Sequence, residues 1–171
     1  MRLHHIFLLA LGMAGFTSCA GYHFGGHKPA HLTHVNTLNI PLAKSRVVGP
    51  RIEPLTTNTT VDALVRDGTY RLANADKADA ILLLTLEETT YSQARSSAID
   101  VLRSEELRLD VTIAYQLLDN KRPGHVLESG KGKGHTRFFV DDNLQTARQN
   151  ALPDALRRAA QSITDRLADG I

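Results

Sequence analysis

Few side chains in this sequence are placed to do chemistry. The single cysteine, Cys19, ends the stretch Phe16-Thr17-Ser18-Cys19; its thiol can accept an acyl group but has no partner for a disulfide. Four histidines, His23, His27, His31 and His34, invite a metal, since imidazole is a common ligand. Gly25, Gly26 and Pro29 oppose the helix that would align them, and no carboxylate or thiolate stands among them. No metal site is therefore expected. Gly130-Lys131 has part of a phosphate-loop pattern, but His125 stands where the first glycine is required and Gly132 where Ser or Thr should follow. Neither G-x-S-x-G nor H-E-x-x-H occurs. Glu87-Glu88 and Glu105-Glu106 are adjacent pairs, which on strands point to opposite faces. The chain reads as a non-enzyme without a cofactor.

What remains is a row of cations. In Gly130-Lys131-Gly132-Lys133-Gly134-His135-Thr136-Arg137 the basic residues alternate with glycines. On a strand, Lys131, Lys133, His135 and Arg137 share one face and Gly130, Gly132 and Gly134 the other. The glycine face would let a helix approach the backbone closely. The basic face would stay open, and a hairpin return brings Arg95 and Arg103 toward its far end. Asp110 and Glu106, on the neighbouring strand, are the acids positioned to neutralise it.

The elements that position this row follow from period and punctuation. Val35 to Leu42 predicts a first strand closed by Pro41. A helix is expected over 53–67, with Pro54 in its first turn, Gly68 after its end, and Val61, Leu64 and Val65 as its core stripe. Short strands follow at Tyr70–Ala73 and Ala80–Leu86. Leu107, Leu109, Val111, Ile113, Tyr115 and Leu117 alternate with polar residues, the clearest strand signal in the chain. Pro123-Gly124 fits a type II turn into the glycine-basic strand. Asp141-Asp142-Asn143 caps a last helix reaching Asp169, with Leu144, Ala151, Leu152, Leu156, Ala159, Ile163 and Leu167 as its stripe. Pro153 should kink or divide that helix near Asn150. The expected fold is α+β: a mostly antiparallel four- to five-stranded sheet with two helices packed on one face.

The start of the chain is a different kind of segment. Arg2 precedes an apolar run, Ile6 to Phe16, too short to span a bilayer at about 20 residues but suited to a signal peptide. Cutting residues 1–18 from the 171 leaves 153, enough for one domain with a core. Arg2 is the only charge removed, so 20 − 1 = 19 Lys+Arg face 18 Asp+Glu. That balance argues against a nucleic-acid binder. The expected organisation is a signal peptide at 1–18, a lipidated Cys19 and tether at 19–34, and an α+β domain at 35–171.

Thr17-Ser18-Cys19 resembles the lipobox of bacterial lipoproteins, with Phe16 where that family prefers Leu. Behind it stand Gly21-Tyr22-His23-Phe24, Pro50-Arg51-Ile52-Glu53, Asp67-Gly68-Thr69-Tyr70-Arg71-Leu72 and Ala78-Asp79-Ala80-Ile81-Leu82. Phe138-Phe139 and Ala151-Leu152-Pro153 complete a series that resembles the LptE-related lipopolysaccharide-assembly lipoproteins. The resemblance implies an outer-membrane lipoprotein on the periplasmic side, held by N-terminal acyl chains such as palmitate. It implies binding of lipopolysaccharide and a place as a plug in an LptD-type β-barrel. Lipid phosphates would then meet Lys131, Lys133, His135 and Arg137, with Arg95 and Arg103 nearby. The alternative is a lipoprotein that regulates a periplasmic partner such as a peptidoglycan synthase, although such proteins usually carry a longer tether. Cys19→Ala is expected to move the protein from the membrane to the soluble fraction, since each buried acyl CH₂ contributes about 0.8 kcal/mol of anchoring. Fractionation in high salt, without a barrel partner, checks this.

Overall fold

The computed structural model describes residues 28–94, 105–140 and 143–170. Residues 1–27, with the expected signal peptide, Cys19, His23 and His27, lie outside the described residues, as do Arg95, Arg103, Asp141 and Asp142. In chain order the elements are a 3-10 turn (Ala30–Leu32), β1 (Thr37–Asn39), β2 (Lys44–Ser45), α1 (Ile52–Asp67), β3 (Arg71–Leu72), β4 (Ala80–Gln93), β5 (Glu105–Asp119), β6 (Val126–Val140) and α2 (Leu144–Asp169).

The fold is α+β: among the described residues, two helices lie on one face of a six-stranded sheet of order β3-β1-β4-β5-β6. β2 pairs with β4 further along the edge that β1 occupies. The sheet is mostly antiparallel, as expected, with a short parallel edge that brings the strands to six. β4, β5 and β6 form a long antiparallel meander, while β1, β2 and β3 join in parallel. The physical reason is the crossover: α1 carries the chain over the sheet between β2 and β3, and such a return brings a strand back parallel.

The helix-facing side holds the core. Leu82, Leu84 and Leu86 of β4, Leu109, Val111, Ile113, Tyr115 and Leu117 of β5, and Leu156, Ile163 and Leu167 of α2 are all buried. β6 contributes absence of side chain instead. A Cβ on Gly132 would collide with the Ala159 carbonyl oxygen and with Ile163, and one on Gly134 with the Ala155 carbonyl oxygen and the Ala159 amide. Helix α2 therefore rests directly on the β6 backbone. At Gly130 the Tyr115 ring takes the vacant space, its hydroxyl 2.9 Å from where a Cβ would stand.

The expected stripe of α2 packs inward except at Leu144, whereas α1 departs from its own. In α1, Val65 is exposed and the buried residues are Ile52, Thr56, Thr57, Thr60, Ala63 and Leu64. Burial of threonines is possible because each hydroxyl donates to the carbonyl four residues back: Thr56 to Ile52 (2.8 Å), Thr57 to Glu53 (2.9 Å) and Thr60 to Thr56 (3.0 Å). Gly68 ends α1 at φ 81°, its N–H bonded to the Leu64 carbonyl. Helix α2 runs unbroken through Pro153, against the expected division. Pro153 and Gln149 are both exposed, so water can serve the Gln149 carbonyl that loses its intrahelical donor. Leu144 lies exposed in the first turn, beyond the region where α2 meets the glycines.

Residues before β1 are part of the packed structure. Leu32 is fully buried, so packing extends N-terminally past Val35 into the stretch expected as a tether. Lys28 Nζ donates to the Val35 carbonyl (2.8 Å) and Asn36 Oδ1 (3.0 Å), and lies 4.8 Å over the Tyr70 ring. Tyr70 in turn donates to the Leu167 carbonyl near the end of α2 (2.6 Å). Asp79 fixes the start of β1: its Oδ2 accepts from the Asn36 and Thr37 amides (both 3.0 Å) and the Thr37 hydroxyl (2.9 Å).

Gly134→Ala is expected to cost about 1–3 kcal/mol or more, because a backbone-to-backbone contact cannot repack. Lys121→Ala, an exposed turn change, should be nearly neutral in the same urea melts. The donors around Asp79, first the Asn36 amide and then Thr37, hold its carboxyl below the usual carboxylate range. A depressed folded pKa gives stabilisation that is complete above the unfolded value, about 3.9, and is lost as pH falls through the folded one. Asp79→Ala should therefore cost about 1–3 kcal/mol at neutral pH and flatten the acid limb of stability below about pH 4, as chemical melts across that range would show.

Candidate functional site

With both helices on one side, the other sheet face is uncovered among the described residues. The β5–β6 register sets its rows: Ala114 beside Lys131, Thr112 beside Lys133, Asp110 beside His135 and Arg108 beside Arg137. The β4–β5 register adds Thr85, Glu88, Thr90 and Ser92 to the same rows, and β2 adds Lys44 beside Thr85. Lys131, Lys133, His135 and Arg137 are all exposed on this face, as alternation requires.

Asp110 and Glu106 lie on this face as expected, opposite His135 and Phe139, but Glu87 of β4 joins them. Lys131 pairs with Glu87 of β4 at 2.5 Å, and Arg46 approaches the same carboxylate at 3.7 Å. Lys131 is accordingly the main cause holding the Glu87 carboxyl below its usual range. Asp110 is turned along its own strand to Arg108, accepting from Nε (2.8 and 3.0 Å) and Nη2 (2.8 Å). That pairing lowers the Asp110 pKa, with a smaller contribution from His135. Lys133 and Arg137 form no ion pair among the described residues. Arg137 lies directly opposite Arg108, whose own charge is met by Asp110.

Glu87 and Glu88 share this open face, which corrects the expectation that they point apart. A β-bulge between Leu86 and Glu88 puts Glu88 opposite Thr112, on the open face, while Glu87 reaches Lys131 on the same face. Sequence alternation carried no sign of the extra residue. Lys44, Arg46 and Arg108 were also missed as members of the face. Arg108 was recoverable from the β5 alternation once its register against β6 was known, whereas β2 is too short to signal itself.

Two other features lie off this face. A groove of about 580 Å³ runs between the end of β6 and the first turns of α2, lined by Arg137, Phe138, Phe139, Asn143, Asn150 and Asp154 among others. On the helix side, Tyr115 donates to Glu128 (2.9 Å), which also meets His31 Nε2 (3.2 Å). Burial first, then the Glu128 carboxylate, pushes the Tyr115 hydroxyl up to about 12. This holds His31 to the sheet. Among the described residues no group of three or more His, Cys, Asp or Glu is arranged for a metal.

The architecture defines a class: a two-layer α+β domain, helices on one sheet face, whose open face offers cations. The chain belongs to the LptE lipopolysaccharide-assembly family, whose model matches residues 35–167. That is a non-enzymatic family of lipoproteins of the Gram-negative envelope. No curated protein gives a significant sequence match. Among solved structures, a minor lipoprotein from Acinetobacter baumannii is similar at 16% identity and TM-score 0.51, over 77% of this chain and 91% of that one. A neuraminyllactose-binding hemagglutinin homolog from Helicobacter pylori is similar at 10% identity and TM-score 0.55, over 88% and 94%. A hypothetical protein from Chlamydia trachomatis is similar at 7% identity and TM-score 0.51, over 78% and 98%. At these identities the likeness is one of fold.

Proposed function

We propose that this chain is an outer-membrane lipoprotein, acylated at Cys19 and facing the periplasm, that binds lipopolysaccharide through the open sheet face while seated in an LptD-type barrel. It acts by binding and not by catalysis. The observation that supports this reading is the charge on that face: Lys133 and Arg137 are exposed and form no ion pair among the described residues. Lipopolysaccharide presents phosphates, which Lys meets as a point charge and Arg as a two-pronged donor. Lys131, held by Glu87, borders these two cations on β6, and His135, opposite Asp110, lies between them.

The variant Lys133→Glu with Arg137→Glu should weaken lipopolysaccharide binding by about tenfold or more at low salt, and by less at high salt. Its urea midpoint should stay near that of the parent, since both side chains are exposed. Lys131 is the wrong residue for this test, because a glutamate there would face Glu87 and perturb the sheet. Unchanged affinity in the double variant at low salt would overturn the face. Recovery of a peptidoglycan synthase, and not a large β-barrel, from detergent-solubilised outer membranes would overturn the assembly role.

A further inference from the structure

The open face is not cationic along its whole length. Its charges begin at the row of Lys44 and Lys131 and continue toward Arg137. In the other direction, toward the start of β4 and the β5–β6 turn, the positions are Ile81 and Leu83 of β4, Gln116 and Leu118 of β5, and Ser129 and Val126 of β6. None carries a charge. Leu83 is 37% and Val126 46% exposed, and Ile81 and Leu118 are half-buried. Val126 is on this face because a second irregularity, between Leu117 and Leu118, pairs Leu118 with Val126 and turns Leu127 toward the core. Beyond this patch the charges of the turn are matched to one another, Arg122 with Asp119 at 2.7 Å and Lys121 with Asp79 at 3.9 Å.

We propose that Ile81, Leu83, Leu118 and Val126 form an acyl-chain subsite, covering part of the fatty chains of the same amphiphile whose phosphates meet Lys133 and Arg137. This rests on the lipopolysaccharide reading above. One occupant is indicated because the apolar and cationic regions are continuous on one face, which matches an anionic head joined to an apolar tail. The spacing also fits. From Lys133 to Ser129 or Val126 is four to seven residues of strand, about 13–23 Å at ~3.3 Å per residue. One leaflet of hydrocarbon spans about half of a ~30 Å bilayer core. A chain leaving a phosphate held at Lys133 therefore reaches the near row at Leu83, and its end approaches the far row of Ile81, Leu118 and Val126.

The test uses full-length protein, immobilised, with two probes: a monomeric acylated lipid A phosphate and its fully deacylated phosphorylated saccharide. The parent should bind the acylated probe about tenfold more tightly or better, the order expected for a few methylenes removed from water. Leu83→Gln with Val126→Gln should lose that preference and keep its affinity for the deacylated probe, while Lys133→Glu with Arg137→Glu should lose both. Equal binding of the two probes by the parent, or an intact preference in the glutamine variant, overturns the subsite and leaves the phosphate reading standing. Lost preference in the glutamine variant with no effect of the charge variant retains the subsite and overturns the phosphate assignment. A parent that binds neither probe overturns both. A concentration-dependent dimer that the glutamine variant abolishes assigns the patch to a second copy and overturns the subsite. Should glutamine lower the urea midpoint, Leu83→Thr with Val126→Thr carries the same comparison with residues that strands accept.

Discussion

The architecture depends on how closely α2 approaches β6. Gly132 and Gly134 leave the backbone bare where the helix presents the Ala155 and Ala159 backbone, so main chain meets main chain. Glycine weakens an isolated strand, and here the packed helix offsets that weakness. The small residues of α2 at this contact, Ala155, Ala159 and Ala160, are all buried for the same reason. Large side chains on either surface would push the layers apart and strip Leu156 and Ile163 of their partners. Because the contact commits α2 to one face of β6, the alternate side chains of that strand are committed to the other.

The parallel edge is held differently. β1, β2 and β3 are short, and few ladder hydrogen bonds keep them in place. Polar side chains supply the rest: Asp79 gathers the first amides of β1, Asn39 donates to the Ala73 carbonyl (3.1 Å), and Thr57 of α1 accepts from the Ala43 amide (2.8 Å). These bonds satisfy backbone groups that would otherwise be orphaned at a short-stranded margin. Threonines in α1 serve both ends of this arrangement, since they bury a methyl while their hydroxyls find carbonyls.

The long meander and both helices were legible because their signals are local. Period-two alternation announced β5, the glycine and lysine alternation of β6 announced both of its faces, and Gly68 and Gly170 closed the helices at positive φ. Hidden features were those that depend on partners distant in sequence. The parallel pairing of β1 and β3 rests on a register with only a few residues in each strand. Val65 and Leu144 read as core by hydrophobicity, but α1 is turned by its contacts so that Thr56 and Thr60 point inward, and Leu144 lies before the part of α2 that packs on the sheet. The candidate site was half legible: the cationic row follows from alternation, whereas which acids neutralise it follows from register and from a bulge.

That bulge explains much of the electrostatics of the open face. If β4 alternated without interruption after Leu86, Glu88 and Thr90 would point to the core and Tyr91 to solvent. The extra residue at Glu87 reverses the phase, so that Glu88 turns outward and Thr89 and Tyr91 inward, opposite Val111 and Leu109. Tyr91 then meets Phe138 edge to face at 6.3 Å and takes the Arg148 guanidinium over its ring at 4.5 Å, closing the end of the core under the first turns of α2. The same phase change spares a carboxylate the large cost of burial. It leaves Glu87 between Lys131 and Arg46, where it balances the near end of the cationic row. Asp110 is meanwhile spent on Arg108. Lys133 and Arg137 are thereby left as the cations without a carboxylate partner among the described residues, away from the apolar patch. One inserted residue in β4 thus sets both the packing under α2 and the ion pairing on the opposite side of the sheet.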